Sequence, residues 1–249
     1  MCNLHLPVLH FLQIMQKSID IIYCENCNSA KKSIFKELGM DELFKLNLNK
    51  NCNFYKKGQV IFFEGNYPDG LFCIRDGKVK VFKIGTSGKE QIIRFAKNGD
   101  ALGYRALLVG ETYSASASAL EDSHICFIRK ETVFEIFKSD NNFSFSLLKL
   151  LSRDLEDVET KMVKLAQKPV RDRLAEALLI LKETYGTDKS GNLNISLSRE
   201  DFANIVGTAT ETVIRLLAEF KKEKLIETKG KKIKIINFEK LVKISKLND

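Results

Sequence analysis

The sequence predicts an α+β protein in which an antiparallel β-barrel is followed by one long helix and a smaller helical unit with a β-hairpin. Three patterns carry this prediction. Short β-rich runs separated by glycines occupy about 53–130, leucines then recur at heptad spacing up to residue 165, and two short helical patterns lead into two alternating strands by residue 236. The expected divisions are an N-terminal extension at 1–23, a barrel domain at 24–138, the long helix at 139–168 and the helical unit at 169–249.

Length and composition describe a folded chain with a basic surface. The chain has 249 residues, 44% of them hydrophobic, and its 40 Lys and Arg against 32 Asp and Glu give a formal charge of +8. A basic excess favours a polyanionic partner such as nucleic acid, although a merely basic protein would carry the same charge.

Cysteine usage and the N-terminal segment indicate the compartment. The six cysteines lie between residues 2 and 126 and are too sparse for a disulfide scaffold, which predicts a reducing cytoplasm. The apolar stretch Met1–Tyr23 has no basic n-region and is interrupted by charged or histidine side chains at 5, 10, 17 and 20. It therefore predicts neither a signal peptide nor a membrane span. Met15 is a second candidate start.

The barrel prediction rests on five short runs rich in β-branched and aromatic residues. Glycines separate these runs, which are Val60–Phe63, Leu71–Ile74, Val79–Ile84, Gln91–Phe95 and His124–Ile128. Closely spaced strands with glycine turns are typical of an antiparallel sandwich or barrel.

The next segment has helical periodicity. Apolar residues form an a/d heptad seam at Leu148, Leu151, Leu155, Val158, Met162 and Leu165. Most positions between them are charged or polar, so only a narrow stripe of the helix is apolar. A narrow stripe favours pairing with a second copy of the helix, and these six residues are the predicted homodimer interface. Packing of the stripe on the chain's own barrel is the alternative.

Two short helices joined by a tight turn are predicted in the last third of the chain. Ser198 is a candidate N-cap, and Asp201 stands in the capping-box position. The first helix stops at Gly207 and the second begins at about Thr210. Their shared apolar positions, which predict a helix-turn-helix, are Ala203, Ile205, Val206, Val213, Leu216, Leu217 and Phe220.

The second helix has an outer face suited to reading bases. Thr210, Glu211, Ile214 and Arg215 lie on its N-terminal half, where a recognition helix presents side chains to the major groove. Glu accepts a hydrogen bond from the cytosine amino group, and Arg donates two to guanine. A surface ion pair between Glu211 and Arg215, four residues apart, is the alternative interpretation.

A basic hairpin follows, with two alternating strands around a Lys-Gly-Lys turn at 229–231. A hairpin in this position is a wing, and Lys231 and Lys232 are expected to reach phosphates. Ser198, Arg199 and Thr208 complete the predicted set of DNA-binding residues.

These motifs resemble the family of the cyclic-AMP receptor protein and the fumarate and nitrate reduction regulator, the CRP/FNR family. The matching segments are Leu197–Asn204 and Thr210–Leu217, with its Glu-Thr-x-x-Arg core, and on the sensor side Lys57–Phe62, Gly65, Leu71–Ile74, Gly77–Val81 and Gly99–Gly103. The resemblance implies a cyclic-nucleotide-binding-like jelly-roll barrel and a homodimer that binds a two-fold site in double-stranded promoter DNA. It also implies a contact with RNA polymerase, and no membrane partner is expected.

The resemblance argues against cyclic AMP as the effector. Members that bind it carry a Gly-Glu-x-x-Leu turn and a later Arg-Ser pair. In this chain Gly103 is followed by Tyr104 and Arg105, and the later pair is Tyr113-Ser114. The acceptor for the ribose and the cation for the phosphate are both missing from their usual places.

An iron-sulfur cluster is the rival cofactor hypothesis. Cys24 and Cys27 resemble the start of the N-terminal motif in the oxygen-sensing branch, and Cys126 stands where that branch keeps its distant ligand. Ser33 replaces the third N-terminal cysteine, so Cys52, or with less support Cys73, has to complete the set. Zinc binding or redox chemistry at the CxxC pair, structural burial of cysteines and the absence of any cofactor stay open.

Two other function classes fit the sequence less well. An enzyme is disfavoured because the sequence has no Walker loop, nucleophile elbow or HExxH motif, and its only histidines are at 5, 10 and 124. The alternative to a DNA-binding regulator is a signalling subunit that responds to a small ligand without reading DNA. The helix-turn-helix and wing oppose it.

Overall fold

The computed structural model describes residues 23–245. The predicted N-terminal extension, apart from its last residue, and the candidate start at Met15 lie outside this range. Within the described range, no helix is both long enough and apolar enough to cross a membrane.

The N-terminal half is built from two four-stranded antiparallel sheets that face each other. Their spatial orders are β1-β8-β3-β6 and β2-β7-β4-β5. The strands are β1 (Lys50–Tyr55), β2 (Val60–Phe62), β3 (Gly70–Asp76), β4 (Val79–Ile84), β5 (Glu90–Ala96), β6 (Ala101–Leu102), β7 (Ser116–Ala119) and β8 (Ser123–Arg129). Inward-facing residues such as Phe72, Ile74, Val81 and Ile125 form the core between the sheets, as alternation requires. This is the predicted antiparallel barrel.

Helices cover one outer face of the barrel. Single turns of 3₁₀ helix at Cys24–Asn26 and Ala30–Lys32 precede α1 (Met40–Leu48), and a short α2 (Tyr104–Val109) follows β6. After β8 the chain forms α3 (Lys130–Ser139). Phe35 stacks on Phe143 of the following helix with ring centroids 5.5 Å apart, so the N-terminal segment is held by the same apolar layer as the long helix.

The long helix, α4 (Asn141–Gln167), has two different apolar faces. Asp140 caps its N-terminus by accepting from the Phe143 amide at 2.8 Å. Phe143 and Leu147 are buried against the chain's own barrel, whereas Leu148 and Leu155 are 57% and 60% exposed. The helix therefore packs on its own barrel through one face and presents a separate apolar stripe to solvent.

The C-terminal unit packs four helices and a hairpin around one core. Its elements are α5 (Val170–Tyr185), α6 (Arg199–Val206), α7 (Thr210–Lys222), β9 (Ile226–Lys229), β10 (Lys232–Ile235) and α8 (Phe238–Ser245). Leu174 and Leu178 of α5 are fully buried among the side chains of α6, α7 and the hairpin. Pro169 stands at the N-cap of α5, where its fixed φ and missing N–H are tolerated.

The C-terminal unit also contacts the barrel. Gln91 of β5 donates to the Asn204 carbonyl of α6 at 2.6 Å, and Phe95 meets the Tyr185 ring edge-on at 6.4 Å. Lys80 of β4 bridges Glu90 and Asp201, the latter at 3.4 Å. These contacts place the helix-turn-helix beside the edge strand of one sheet.

Candidate nucleic-acid interface and sensor region

A capping box fixes the start of α6. The Ser198 hydroxyl accepts from the Asp201 amide at 2.9 Å, and the Asp201 carboxylate accepts from the Ser198 amide at 2.9 Å. The Ser198 hydroxyl also donates to that carboxylate at 2.7 Å. Its hydrogen-bonding capacity is thus used inside the protein, so Ser198 shapes the helix end in this structure rather than presenting a free hydroxyl for DNA.

The turn between the two helices depends on Gly207. Its φ of 67° lies in the left-handed region, and a Cβ built there would come within 3.2 Å of Leu165 Cδ2. The Gly207 and Thr208 amides both donate to the Ala203 carbonyl, which closes the end of α6. The turn therefore fixes both the angle between the helices and their approach to the long helix.

The two helices pack through a small core that differs in one position from the prediction. Phe202, Ala203 and Val206 of α6 are buried against Val213 and Leu217 of α7, among other residues of the same core. Ile205 lies at the edge of this core, half-buried, whereas Phe202 is almost fully buried. An eight-residue helix carries its apolar face at 202, 203 and 206, so Phe202 takes the place expected for Ile205.

The predicted reading face is accessible. Ile214 is 51% exposed, Glu211 is exposed and Thr210 is half-buried at the first turn of α7. Glu211 and Ile214 point away from the buried residues of the helix, because a helix buries only one stripe, whereas Thr210 borders that stripe.

The Arg215 side chain pairs differently from the predicted alternative. Its guanidinium donates to Glu219 Oε1 at 2.7 Å, one turn toward the C-terminus, and not to Glu211. Glu219 also accepts from Arg171 of α5 at 3.2 Å, and Arg171 in turn binds Glu223. This pairing draws Arg215 away from Glu211 and from the N-terminal end of the recognition helix.

The wing is tied to the helix-turn-helix by Arg199. Its guanidinium donates to the Gly230 carbonyl at 3.1 Å, at the tip of the hairpin turn. Lys231 and Lys232 are exposed beside that turn, and Lys232 lies 3.5 Å from Asp188. Arg199 thus holds the wing, and both lysines remain exposed beside its turn.

The predicted dimer seam is mostly solvent-exposed. Leu148, Leu155, Val158, Met162 and Leu165 are exposed, whereas Leu151 is half-buried against the core that lies under the long helix. The seam and the barrel-facing stripe are therefore neighbouring but distinct faces of α4.

The residues at the cyclic-nucleotide motif positions enclose almost no space. Gly103, Arg105, Tyr113 and Ser114 line a cavity of about 30 Å³, and the Tyr113 ring stacks on Phe62 with centroids 4.1 Å apart. Such a volume holds a water molecule or two and not a nucleotide. Tyr104, at the family's Glu position, is buried and its hydroxyl donates to Asp154 of the long helix, and burial raises its pKa.

Five cysteines meet on one face of the barrel. Cys52, Cys126 and Cys73 are directly opposite one another on the adjacent strands β1, β8 and β3. Cys24 and Cys27, from the preceding segment, line the same small pocket as Cys73 and Cys126. Cross-strand neighbours share one face of a sheet, so the strand register itself assembles this cysteine cluster.

The individual thiols differ in environment. The Lys50 ammonium lies 2.9 Å from Cys24 Sγ, but burial outweighs it and raises the Cys24 pKa. Burial raises the pKa of Cys73 to about 12, so this thiol stays protonated near neutral pH. Cys27, half-buried, is the most accessible of the free thiols within 23–245.

The predicted metal ligands do not fit a metal site in this arrangement. Cys52 and Cys126 are joined as a disulfide, which removes two of the four predicted thiolates, Cys24 and Cys27 being the others. Among residues 23–245, no three His, Cys, Asp or Glu side chains are placed to hold a metal ion. Ser33 is buried, donating to the Ala30 carbonyl at 2.7 Å and accepting from the Phe35 amide at 3.1 Å, so it serves the turn.

Two family models match this chain. The cyclic nucleotide-binding domain matches residues 52–140, and the Crp-like helix-turn-helix domain matches residues 172–244. The first covers most of the barrel with α3, and the second covers the C-terminal unit.

Relatives are similar over nearly the whole chain. The transcriptional activator protein Anr of Pseudomonas protegens is 28% identical over 218 residues, covering 86% of this chain and 89% of the relative. The fumarate and nitrate reduction regulatory protein of Escherichia coli is 28% identical over 243 residues, covering 96% and 97%.

Solved structures share the fold. A CRP/FNR-family regulator from Eubacterium rectale superposes with a TM-score of 0.71 at 21% identity, covering 86% of this chain and 97% of the other. FixK2 from Bradyrhizobium japonicum superposes with a TM-score of 0.70 at 22% identity, covering 78% of this chain and 96% of the other.

Proposed function

Because the chain belongs to the CRP/FNR family of DNA-binding transcriptional regulators, we propose that it acts as a cytoplasmic homodimer on a two-fold promoter site. The observation that carries this proposal is the exposed reading face of α7, set between a glycine turn and a basic wing. A signalling subunit without DNA readout has no use for this face, and the alternative is set aside.

The homodimer follows from the exposed seam of α4. Its apolar side chains Leu148, Leu155 and Met162 are 57%, 60% and 65% exposed at heptad spacing. Burying such a stripe against a second copy removes apolar surface from water, at roughly 25 cal/mol per Å². A two-fold dimer also presents two recognition helices, which matches two half-sites one helical turn apart.

A charge in the seam tests the dimer. Leu155→Lys is expected to give monomers by sedimentation velocity and to lose binding to promoter fragments in gel shifts, because a buried unpaired ammonium opposes pairing of the helices. Glu156→Lys, which changes charge at an exposed position beside the seam, is the matched control and should remain dimeric. A dimeric Leu155→Lys protein would place the interface elsewhere.

RNA polymerase is the second proposed macromolecular partner. Relatives named as transcriptional activators are similar over at least 86% of this chain, and activation requires a contact with the transcription machinery. In vitro transcription from a bound promoter, compared with the same template lacking the site, tests whether the protein activates.

The second candidate function is a signal input at the cysteine cluster. Disulfides found in reducing compartments are usually redox-sensing or catalytic, and the Cys52–Cys126 bond joins neighbouring strands beside Cys24, Cys27 and Cys73. An external dithiol would break this Sγ–Sγ bond and become a disulfide itself, supplying two electrons and two protons to leave two thiols. The opposing reaction needs an oxidant such as a peroxide or a low-molecular-weight disulfide.

Promoter affinity measured with and without dithiothreitol tests this input. The wild type should change its affinity on reduction, and Cys52→Ser should bind alike under both conditions, with Cys73→Ala keeping the response. The metal alternative is separated by iron analysis and the visible spectrum of protein purified without oxygen. If the protein is brown and contains iron, and Cys27→Ser loses the colour, the signal input is an iron-sulfur cluster and not thiol chemistry.

A further inference from the structure

A cavity lies where the barrel, the long helix and the C-terminal unit meet. It has a volume of about 400 Å³, within the range of sites for small ligands. Strand β5 forms one wall, α4 from Asp154 to Leu165 the second, and α5 with the end of α6 the third. We call it the hinge cavity. It adjoins the small space at Gly103 and Tyr113, because Arg94 and Arg105 line both.

Its walls are largely apolar. Ile93, Ile180 and Ile205 line it, and Ile180 is 46% exposed although the leucine and alanine residues of its helix are buried. Covering this exposed side chain with an apolar group would remove its surface from water, which is favourable. The walls therefore favour a ligand with a hydrocarbon or aromatic body.

Two of the polar groups that line the walls are hydrogen-bond donors without a partner among the described residues. The Tyr185 hydroxyl and Arg94 Nε are buried and have no hydrogen-bond partner within residues 23–245. Buried polar atoms in native proteins are almost always paired, so two such donors lining one cavity call for an acceptor. Acceptor oxygens on a bound molecule would satisfy them.

Lys161 adds a positive charge to the same cavity. Its ammonium donates to the carbonyls of Ile92 and Ile93 at 2.8 and 2.7 Å, which uses two of its three N–H groups. Ile93 is the extra residue of a bulge in β5, since Ile92 and Arg94 pair with adjacent residues of β4. No ion pair of Lys161 with a carboxylate is formed among the described residues, and burial lowers its pKa to about 8. The ammonium is therefore a desolvated cation with one donor remaining.

From these observations we propose that the hinge cavity binds a small carboxylate with an apolar body. The carboxylate accepts from Lys161 and from the unpaired donors, and the body packs against Ile180 and the surrounding aliphatic side chains. Five cationic residues line the cavity against three acidic ones, which favours an anion over a cation. A ligand held here touches β5, the long helix, α5 and the end of α6, the helix that precedes the reading face in the chain.

Octanoate and 1-octanol form a matched pair of probes, because they share a chain and differ in the charged headgroup. Isothermal titration calorimetry on the dimeric full-length protein should show octanoate binding roughly tenfold more tightly than octanol. Lys161→Met should lose this preference, and Ile180→Trp, which fills the cavity from its exposed edge, should weaken both probes.

Lys149→Met is the control, since Lys149 is an exposed lysine of the same helix outside the cavity. It should bind both probes like the wild type. Circular dichroism establishes that each variant is folded. The proposal is overturned if the wild type binds neither probe, if Lys161→Met keeps the preference for octanoate, or if Ile180→Trp binds as the wild type does. These readouts do not involve DNA, so they stand or fall separately from the proposed promoter binding.

Discussion

Arg215 is the residue on which the proposed reading of DNA bases depends most. In family members with this Glu and Arg pair, each half-site contains a G·C pair within a TGA-like core, and a bidentate Arg–guanine contact contributes about 1–3 kcal/mol of discrimination. Arg215→Ala should therefore relax the preference at one guanine in a binding-site selection. Lys231→Ala should weaken binding to all sequences alike and flatten the salt dependence, because a phosphate contact carries no sequence information. Full retention of the guanine preference in Arg215→Ala would remove this residue from the reading face.

The ion pair between Arg215 and Glu219 leads to a second prediction about this residue. Arg215 has to leave Glu219 to reach a base, and an exposed ion pair four residues apart holds it by roughly 0.3–0.5 kcal/mol. Glu219→Gln should therefore raise the affinity for the promoter about twofold, measured by fluorescence anisotropy. Glu200→Gln, at an exposed position of α6, serves as control for the lost negative charge. Equal gains in both variants would point to net charge rather than release of Arg215.

Lys161 makes the stability depend on pH in a predictable direction. Its folded pKa is lowered from 10.5 to about 8 by burial, so from pH 8 to 10.5 the unfolded chain binds more protons than the folded one. Below pH 8 the buried Lys161 ammonium lowers the unfolding free energy by its full desolvation cost, and this cost is relieved as the pH rises to 10.5. The unfolding free energy of the wild type minus that of Lys161→Met should rise over this window, by up to about 3 kcal/mol.

Urea unfolding of both proteins at pH 7, 9 and 10.5 measures this difference. Asp154, Asp157 and Lys164, which also line the cavity, are common to both proteins and largely cancel in the comparison. A difference that does not change with pH would mean that Lys161 is solvated in the folded protein.

At the scale of elements, the strand β7 shows what the sequence pattern misses. Its residues Ser116–Ala119 are all small and all buried, and it joins β2 to β4 in one sheet. Strand prediction relies on large β-branched and aromatic side chains, and a Ser-Ala-Ser-Ala run has none. The neighbouring strands supply the bulk, so only the three-dimensional packing reveals this strand. In contrast, the recognition helix and the capping box were predictable because their signals are local.

The same strand gives a test of packing. Ala117 is fully buried between β2 and β4, and Leu there adds three carbon atoms to a space already filled. Ala117→Leu should lower the unfolding free energy by about 1–3 kcal/mol through overpacking. Ser114→Leu is a less demanding control, since Ser114 is exposed at the neighbouring loop. Equal stability of Ala117→Leu and the wild type in urea would show that the two sheets separate easily.

The whole molecule depends on contacts that no sequence pattern predicted. The periodicities gave the barrel, the long helix and the winged unit, because each is specified by residues close in the chain. The cysteine cluster arises from strand register, and the hinge cavity arises from contacts between residues 60 or more positions apart, such as Lys161 with Ile92. Chemistry formed at such distances has no local signature. For the same reason the sequence left the fourth thiol undecided.

Glu176 joins the two halves of the molecule and provides the last prediction. It is only 3% exposed and forms ion pairs with Lys164 and Lys168 at the end of the long helix, the latter at 3.1 Å. Glu176→Gln leaves two lysines without their shared carboxylate, and since both are partly exposed the cost should be about 1–3 kcal/mol. Glu183→Gln, at an exposed position of the same helix, should be neutral.

The consequence should appear in how the molecule unfolds. If the contacts of Glu176, Gln91 and Phe95 make the barrel and the C-terminal unit one cooperative structure, the wild type unfolds in a single calorimetric transition. Weakening the junction by Glu176→Gln should then separate a lower transition, that of the C-terminal unit, from that of the barrel. Hydrogen exchange assigns the lower transition, because amides of α5 and α6 should lose protection before those of β3 and β8. Simultaneous loss of protection in both units would show that the junction does not depend on this carboxylate.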